Sequence, residues 1–440
     1  MKIKIAALVL CIALLSSCAT KRASYHAPNS FVDVSRSMKT SHFWISKIEN
    51  PDKVILSKKE TLSLNERTRN AGYLANVFNL NSNFCESLLK KDYREVVKKY
   101  SKYYDSSLKR VGKKSLESLV SAISCNLATE KSFAITTGYA QLRILPTSEP
   151  LYSSLSSTNF DRLQQTQLDF ASPLAVFFST TDEQWYYVVS EIAEGWVKSD
   201  SIAFGTKKDI EKYKKRKDVA VVVSKQADLY DNAKTTVFYD NVRMGSVLPV
   251  IKKTDDIVEV EIPLAQKDGK LGFKKVFAKR ADVSLDFLPY TQRNIITQAF
   301  KYLDTPYGWG DDGGYPDCSS FIRQIFSCFG IVFPRNSYAQ SQAGGVAINF
   351  DKQLTIKQKI EKILEKGCPG ITIMYFPGHI MLYLGGYKGK PYIIHSLGEY
   401  GVDVKAVYIF KMVAVTGVSV GENSKRKSFV ERLTLMKIIK

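Results

Sequence analysis

The chain has 440 residues, with 63 Lys and Arg against 43 Asp and Glu, only four His, and a formal charge of +20 at pH 7. That length predicts about three domains. With 45% hydrophobic and 12% aromatic residues the chain can bury cores, which excludes a disordered tail protein. The charge calls for an anionic surrounding, and nucleic acid, membrane headgroups and acidic cell-wall material all fit it.

The amino terminus narrows that choice. Met1 to Lys4 is short and basic, Ile5 to Leu15 is apolar, and Leu15-Ser16-Ser17-Cys18 puts a cysteine after two small residues. A span this short predicts a cleaved signal, residues 1–17, rather than a membrane helix. The pattern resembles a bacterial lipobox, which implies lipidation of Cys18. Ala19 after it implies a periplasmic protein held on the outer membrane of a Gram-negative cell. Loss of Lys2 and Lys4 leaves a charge of +18. In an exported chain, nucleic acid is no longer the expected partner. Cys85, Cys125, Cys318, Cys328 and Cys368 remain, an odd number that leaves one thiol unpaired unless it bonds to another chain. Cys85 and Cys125 either close a loop or stay buried thiols. No cysteine or histidine spacing of a zinc site occurs, so no structural metal is expected.

Residues 18–136 predict a mostly helical domain, with apolar residues at helical spacing over Asn79 to Lys102 and Ser115 to Leu127. It carries 21 basic and 11 acidic side chains, a net +10 beside the lipid anchor, which suits an anionic surface or a merely solvated helical face. From 137 to 206 short β-rich runs predict a small barrel, including Leu142 to Thr147, Pro173 to Phe178, Trp185 to Val189 and Gly195-Trp196-Val197. This segment holds three basic and eight acidic side chains, a net −5. The charge run 207–218 reads as an exposed linker. A second barrel spans 219–288. From 289 to 440, two apolar-faced helices and then strands at Ile371 to Phe376, His379 to Leu384 and Tyr392 to Ser396 predict an α+β domain.

Cys318 falls at the start of the second of those helices, where the helix N-terminus favours a thiolate, with Asp317 as N-cap. Two of the four histidines, His379 and His395, lie on successive strands whose midpoint falls at residue 387. A regular hairpin would place them opposite each other, with Cβ atoms roughly 5 Å apart unless a bulge shifts the register. His379 is then the base to Cys318, and His395 orients it. A metal pair finds no nearby acid to complete it.

Thr305-Pro306-Tyr307-Gly308-Trp309-Gly310, Asp317-Cys318-Ser319-Ser320, Phe333-Pro334-Arg335-Asn336-Ser337, Pro377 to Gly385 and Ile394-His395-Ser396 together resemble the NlpC-type papain-like cell-wall cysteine peptidases. Upstream, Leu142 to Thr147 with Phe160-Asp161 and Gly195-Trp196-Val197 resembles the first SH3-like module of the family's multidomain branch. Met244 to Pro249 resembles the second, and the amino-terminal region resembles that branch's stabilising domain. The resemblance implies four parts: a helical amino-terminal domain, two small SH3-like β-barrels and an α+β papain-like domain. It implies hydrolysis of the bond between γ-D-glutamate and a diamino acid in peptidoglycan stem peptides, without a cofactor.

Under that resemblance Cys318, His379 and His395 are catalytic, and the Cys318 backbone N–H with the Tyr307 hydroxyl forms the oxyanion site. A free N-terminal L-Ala amine is held by Asp317, Ser319 and Ser337 with acidic and tyrosine groups of the first barrel, for which Tyr187 and Glu191 are the candidates. The barrel's −5 charge suits that amine. Trp309 is either a cleft wall or a core residue, and Arg335 either a ligand or a structural tie. Where relatives have a second Gly after the Tyr-x-Trp-Gly run, Asp311 to Pro316 intervene here, which bears on the cleft lip. A monomer acting on stem peptides or muropeptides is expected. The rival readings are a non-catalytic murein-binding lipoprotein and an acyltransferase on the same scaffold.

Overall fold

A computed structural model describes residues 29–80, 93–124, 132–155, 158–402 and 407–440. The signal segment, Cys18, Cys85 and Cys125 lie outside those residues. The chain is multidomain and mostly β-sheet, with helices laid against three antiparallel sheets.

The first helices are α1 (Asn29–Val32), α2 (Ser41–Ile45) and α3 (Lys58–Asn70). α2 begins where the Thr40 side chain accepts the Phe43 N–H, and it buries Trp44 and Ile45. α3 opens with a capping box between Ser57 and Glu60 and buries Thr61, Leu64, Asn65 and Thr68, one face of a 3.6-residue period. Trp44 and Leu64 both enter the core of the carboxy-terminal domain. Asn65 donates to Gly330 O at 2.8 Å and accepts from Val332 N–H at 2.9 Å. α4 (Tyr93–Tyr100) and α5 (Lys113–Ser121) turn elsewhere: Val97, Tyr100 and Leu116 pack on Leu145, Leu151 and Leu163 of the first β-rich segment. Helices this short gain their stability from tertiary packing, and they divide between two partners.

The first sheet holds β1 (Ile123–Ser124), β2 (Ser132–Thr136), β3 (Ala140–Arg143), β4 (Gln164–Leu168), β5 (Pro173–Thr180), β6 (Trp185–Val189), β7 (Glu194–Lys198) and β8 (Ile202–Gly205). Its order is β4-β3-β7-β6-β5-β2-β8, with β1 beside β5. β2 precedes the expected boundary at 137 yet pairs with β5 and β8, so this sheet starts earlier than its turn residues suggested. The charge run after it is α6 (Lys207–Lys214), N-capped by Thr206, rather than an exposed linker. Ile210 and Tyr213, three residues apart, are buried in the second sheet's core, and the Tyr213 hydroxyl donates to Glu261 O at 3.0 Å. Two apolar residues among lysines dock this helix, and two of the lysines add to the contact: Lys207 Nζ donates to Phe78 O at 2.9 Å and Lys214 Nζ to Ala171 O at 3.3 Å.

The second sheet comprises β9 (Val219–Val222), β10 (Gln226–Tyr230), β11 (Phe238–Arg243), β12 (Val247–Lys253), β13 (Ile257–Ala265), β14 (Leu271–Lys279) and β15 (Val283–Ser284), in the order β11-β10-β14-β13-β12-β9-β15. The carboxy-terminal domain follows with α7 (Gln292–Phe300), α8 (Cys318–Ser327), α9 (Ser337–Gln342) and α10 (Ile356–Lys366). Its strands are β16 (Val346–Asn349), β17 (Thr372–Phe376), β18 (His379–Tyr387), β19 (Lys390–Gly401), β20 (Val407–Gly417) and β21 (Leu435–Ile438), with α11 (Phe429–Arg432) between the last two. The sheet order is β16-β21-β17-β18-β19-β20, so the end of the chain inserts between two earlier strands. Phe321, Ile322, Ile325 and Phe326 bury α8 against this sheet, which fixes the height of Cys318 above β18.

Candidate active site

Asp317 caps α8: its Oδ1 accepts the Ser319 and Ser320 N–H groups at 3.1 and 2.9 Å and the Ser319 hydroxyl at 2.9 Å. Cys318 is therefore the first residue of a well-capped helix, with its side chain 9% exposed. The expected fall in its pKa does not occur. Burial, then the Asp317 carboxylate, push the thiol up to about 12, against the opposing pull of the Ile380 and Ser319 backbone N–H groups and Arg335.

His379 opens β18 after the Pro377-Gly378 turn, whose Gly378 has φ +93°. His379 Nε2 lies 2.8 Å from His395 Nδ1, and His395 Nε2 lies 3.1 Å from Thr416 Oγ1. The two histidines meet, but not as directly opposed residues. The β18–β19 turn sits at Lys388-Gly389, and a bulge between Tyr383 and Gly385 sets the pairing Leu382 with Ile394. Continued, that register leaves the imidazoles as diagonal neighbours on one face, still within reach of two aromatic side chains. Burial, then the Arg432 guanidinium, bring His379 down to about 3, and burial with His379 holds His395 well below its ordinary value. In the free protein thiol and imidazoles are all neutral. With Nε2 taken by His395, Nδ1 is the His379 nitrogen left for Cys318. Cys318 and His379 line one recess, and the Ile380 N–H points at the sulfur.

A second, larger recess of about 690 Å³ adjoins Cys318. Asp317, Ser319, Ser337, Tyr307 and Trp309 line it from the carboxy-terminal domain, Glu194, Gln164, Gln165 and Arg162 from the first sheet, and Tyr100 and Tyr103 from α4 and its end. Tyr307 is partly buried against Phe160, with ring centroids 6.4 Å apart. A Cβ at Gly398 would come within 3.3 Å of the Tyr307 ring, so glycine there makes room for the phenol on the recess it shares with Cys318. Trp309 is a cleft wall: Phe160 meets it edge-on at 5.3 Å, Arg162 lies 5.0 Å over its ring, and its buried indole N–H has no partner among the described residues.

Neither of the two first-sheet candidates, Tyr187 and Glu191, lines the larger recess. Tyr187 is 1% exposed inside the first sheet, packed on Trp196, with its hydroxyl 2.8 Å from Glu194 Oε1. Glu191 is held by Arg69 at 2.7 Å and faces another recess. The acid of this sheet that reaches the cleft is Glu194, which begins β7 directly before the Gly195-Trp196-Val197 run. The net −5 of the segment is not an acidic pool facing the cleft either. Asp161 pairs with Arg143, Asp169 with Arg243 and Arg323, and Glu191 with Arg69.

Arg335 lines the larger recess and is tied to Asp317 and Ser319. Its Nη2 lies 2.7 Å from Asp317 Oδ2, and its Nη1 reaches Asp317 Oδ1 at 3.2 Å and the Ser319 hydroxyl at 2.8 Å. Burial works against the Asp317 charge, but Arg335 and the helix N–H groups hold its carboxyl below the usual range. The unexpected Asp311 to Pro316 stretch proves to be an inter-domain contact. Asp311, fully buried at φ +64°, accepts from the Thr166 hydroxyl of β4 at 2.8 Å and lies 3.5 Å from Arg335 and 3.9 Å from Arg243 and Arg323. Gln164 donates to Gly310 O at 3.0 Å, and a Cβ at Gly310, φ +62°, would come within 2.6 Å of the Gln164 side chain. Among the described residues Cys318 and Cys328 are buried and Cys368 half-buried, and all three are unbridged. Among the described residues no cluster of His, Cys, Asp or Glu could hold a metal ion.

This chain is similar to several known proteins. Gamma-D-glutamyl-L-lysine dipeptidyl-peptidase of Bacillus subtilis (strain 168) is 30% identical over 140 residues, 30% of this chain and 43% of that protein. Dipeptidyl-peptidase 6 of Lysinibacillus sphaericus is 30% identical over 119 residues, 26% of this chain and 36% of that protein. The matched region thus spans less than half the length of these relatives. An NlpC/P60 endopeptidase structure from Photobacterium damselae subsp. piscicida shares the fold, with a TM-score of 0.74 at 20% identity, over 90% of this chain and 96% of that one. Residues 150–198 match the SH3 domain of the SH3b1 type and residues 304–414 the NlpC/P60 family, and the chain is accordingly an NlpC/P60-domain protein that also carries an SH3b domain.

Proposed function

We propose that the protein is a cysteine endopeptidase that hydrolyses the γ-D-glutamyl to diaminopimelate bond of peptidoglycan stem peptides, preferring a free N-terminal L-Ala. Its role is murein recycling or remodelling, as a monomer held at the periplasmic face of the outer membrane through lipidated Cys18. The observation that carries this reading is the line Cys318, His379, His395, Thr416 at the junction of two recesses, the larger bearing Glu194 and Asp317.

In the mechanism, the Cys318 sulfur attacks the γ-carbonyl carbon while its proton passes to His379 Nδ1. His379 Nε2–H donates to His395 Nδ1, and His395 Nε2–H donates to Thr416, so the imidazolium forms with its far proton already held. The Cys318 N–H and the Tyr307 hydroxyl receive the oxyanion. The C–N bond then breaks, His379 gives its proton to the leaving amine, and a thioester remains. Water attacks the thioester carbonyl, its proton passing to His379 and back to the departing thiolate. Glu194 and Asp317 flank the L-Ala ammonium in the larger recess.

Purified protein should cleave L-Ala-γ-D-Glu-diaminopimelate, and Cys318→Ala should abolish cleavage. No cleavage in reducing buffer, or unchanged cleavage by the variant, overturns the reading. Sedimentation with murein without any new product would favour a binding protein, and transfer to lipid substrates an acyltransferase. N-acetylated peptide should be cut at least tenfold more slowly, and equal rates would remove the amine site.

A further inference from the structure

The smaller recess, about 190 Å³, shares Cys318, Tyr307 and Trp309 with the larger one, but in place of Asp317 and Glu194 its wall carries Phe376, Glu399, Arg426, Phe429 and Arg432. If the acyl part of a peptide occupies the larger recess, the part that leaves as an amine must lie here. Its charge is lopsided: Arg426 is bound to Glu399 at 2.8 Å, whereas Arg432 pairs with no carboxylate among the described residues. The Arg432 guanidinium stacks 4.0 Å from the Phe376 ring centroid, partly buried, and its field reaches His379. Stacking fixes the plane of its fork while the N–H edges stay available, the arrangement that receives a carboxylate by paired hydrogen bonds. Arg162 adds a third cation where the two recesses meet. Both Arg426 and Arg432 stand beyond the segment that matches the NlpC/P60 family, on the stretch that carries α11 and returns β21 into the sheet.

We propose that Arg432, supported by Arg426, is a carboxylate-binding subsite for the far end of the leaving diamino acid. It selects diaminopimelate, whose side chain ends in a carboxylate beside an amine, over lysine, whose side chain ends in an ammonium alone. The subsite rests on the peptidase reading above. Lysine would bring a cation to a wall with an uncompensated guanidinium, and binding it would leave that guanidinium unpaired.

The first test needs no variant. Wild-type kcat/KM is measured on L-Ala-γ-D-Glu-diaminopimelate, on the same peptide with the distal carboxylate amidated, and on L-Ala-γ-D-Glu-L-Lys. A charge-assisted pair predicts about 10- to 100-fold lower values for the last two. In the second test, Arg432→Gln should collapse the diaminopimelate-to-lysine ratio by at least about tenfold, and Arg432→Lys should retain part of it. Equal rates on the three peptides, or a loss in Arg432→Gln that is the same on both diamino acids, overturns the subsite while leaving the peptidase reading intact. Failure to cut any of the three overturns the peptidase reading itself.

Discussion

Two buried polar assemblies lie within a few residues of each other and are built on opposite principles. Around Asp311, three carboxylates (Asp169, Asp311, Asp317) meet three guanidiniums (Arg243, Arg323, Arg335), and the charges balance across both sheets and the carboxy-terminal domain. The line from Cys318 through His379 and His395 to Thr416 contains no carboxylate, and burial keeps its members neutral. A balanced ion cluster holds its charge when buried, whereas an isolated titratable group gives its charge up. The cluster is suited to holding domains in register. The line is suited to moving one proton and creating charge only during the reaction.

Several measurements would break or sharpen this contrast. The largest effect is expected in the neutral line: His379→Ala should lower kcat by at least about 10³-fold, with loss of both the base and the acid. Breaking the charged cluster should act on stability. Asp311→Ala leaves the arginines under-compensated and should cost about 3–5 kcal/mol in urea unfolding. A loss below about 1 kcal/mol would show that the cluster does not hold the domains together.

The pH dependence separates the two assemblies more finely. Below about pH 6.5 the unfolded chain protonates its histidines, while the folded chain refuses the proton at His379 until about pH 3. Stability is therefore fully present above about 6.5 and falls by about 1.4 kcal/mol per pH unit for each of the two histidines. Asp169 and Asp317 have lowered folded values, so their contribution is present above about pH 4 and fades only at lower pH. Acid weakening should accordingly begin in the histidine line, and His395→Asn should roughly halve the slope of unfolding free energy between about pH 6 and 4.5. An unchanged slope would sink the neutral-line description.

Iodoacetamide inactivation of the free protein should rise continuously beyond about pH 8.5, the ordinary thiol value, because the Cys318 thiol is pushed up to about 12. A plateau near neutrality would instead reveal a thiolate–imidazolium pair. The smallest effect is expected at Thr416. Thr416→Val removes the partner of His395 Nε2 and should lower kcat about tenfold or less at unchanged KM, with Thr416→Ser restoring it.

Much of the site was legible before any fold. The Asp317 cap, the start of α8 at Cys318, and the meeting of His379 with His395 depend on residues within a helical turn or one hairpin of each other. The bulge near Gly385 changed how the histidines meet without separating them, because a diagonal pair on one face is still in reach. Glu191 is the acid the sequence offers and Glu194 the one that lines the cleft, because charge in a sequence carries no direction. The two stand three residues apart in the chain, but one reaches Arg69 and the other the cleft. The lysine-rich run at 207–214 concealed a helix for a similar reason, since its two apolar docking residues, Ile210 and Tyr213, are outnumbered by charged side chains.

By itself the sequence determined the local chemistry: a basic chain, a capped cysteine helix, paired histidine strands and β-rich segments upstream. Only the tertiary structure decided which charges are spent inside the protein and which face a ligand. Asp311 meets Thr166 across 145 residues, and Arg432 reaches the cleft from a segment that follows the histidine strands. The physical reason is range. Backbone hydrogen bonds and caps act within a few residues of the chain, whereas ion pairing and desolvation depend on distance in space, which is defined only after the domains have packed.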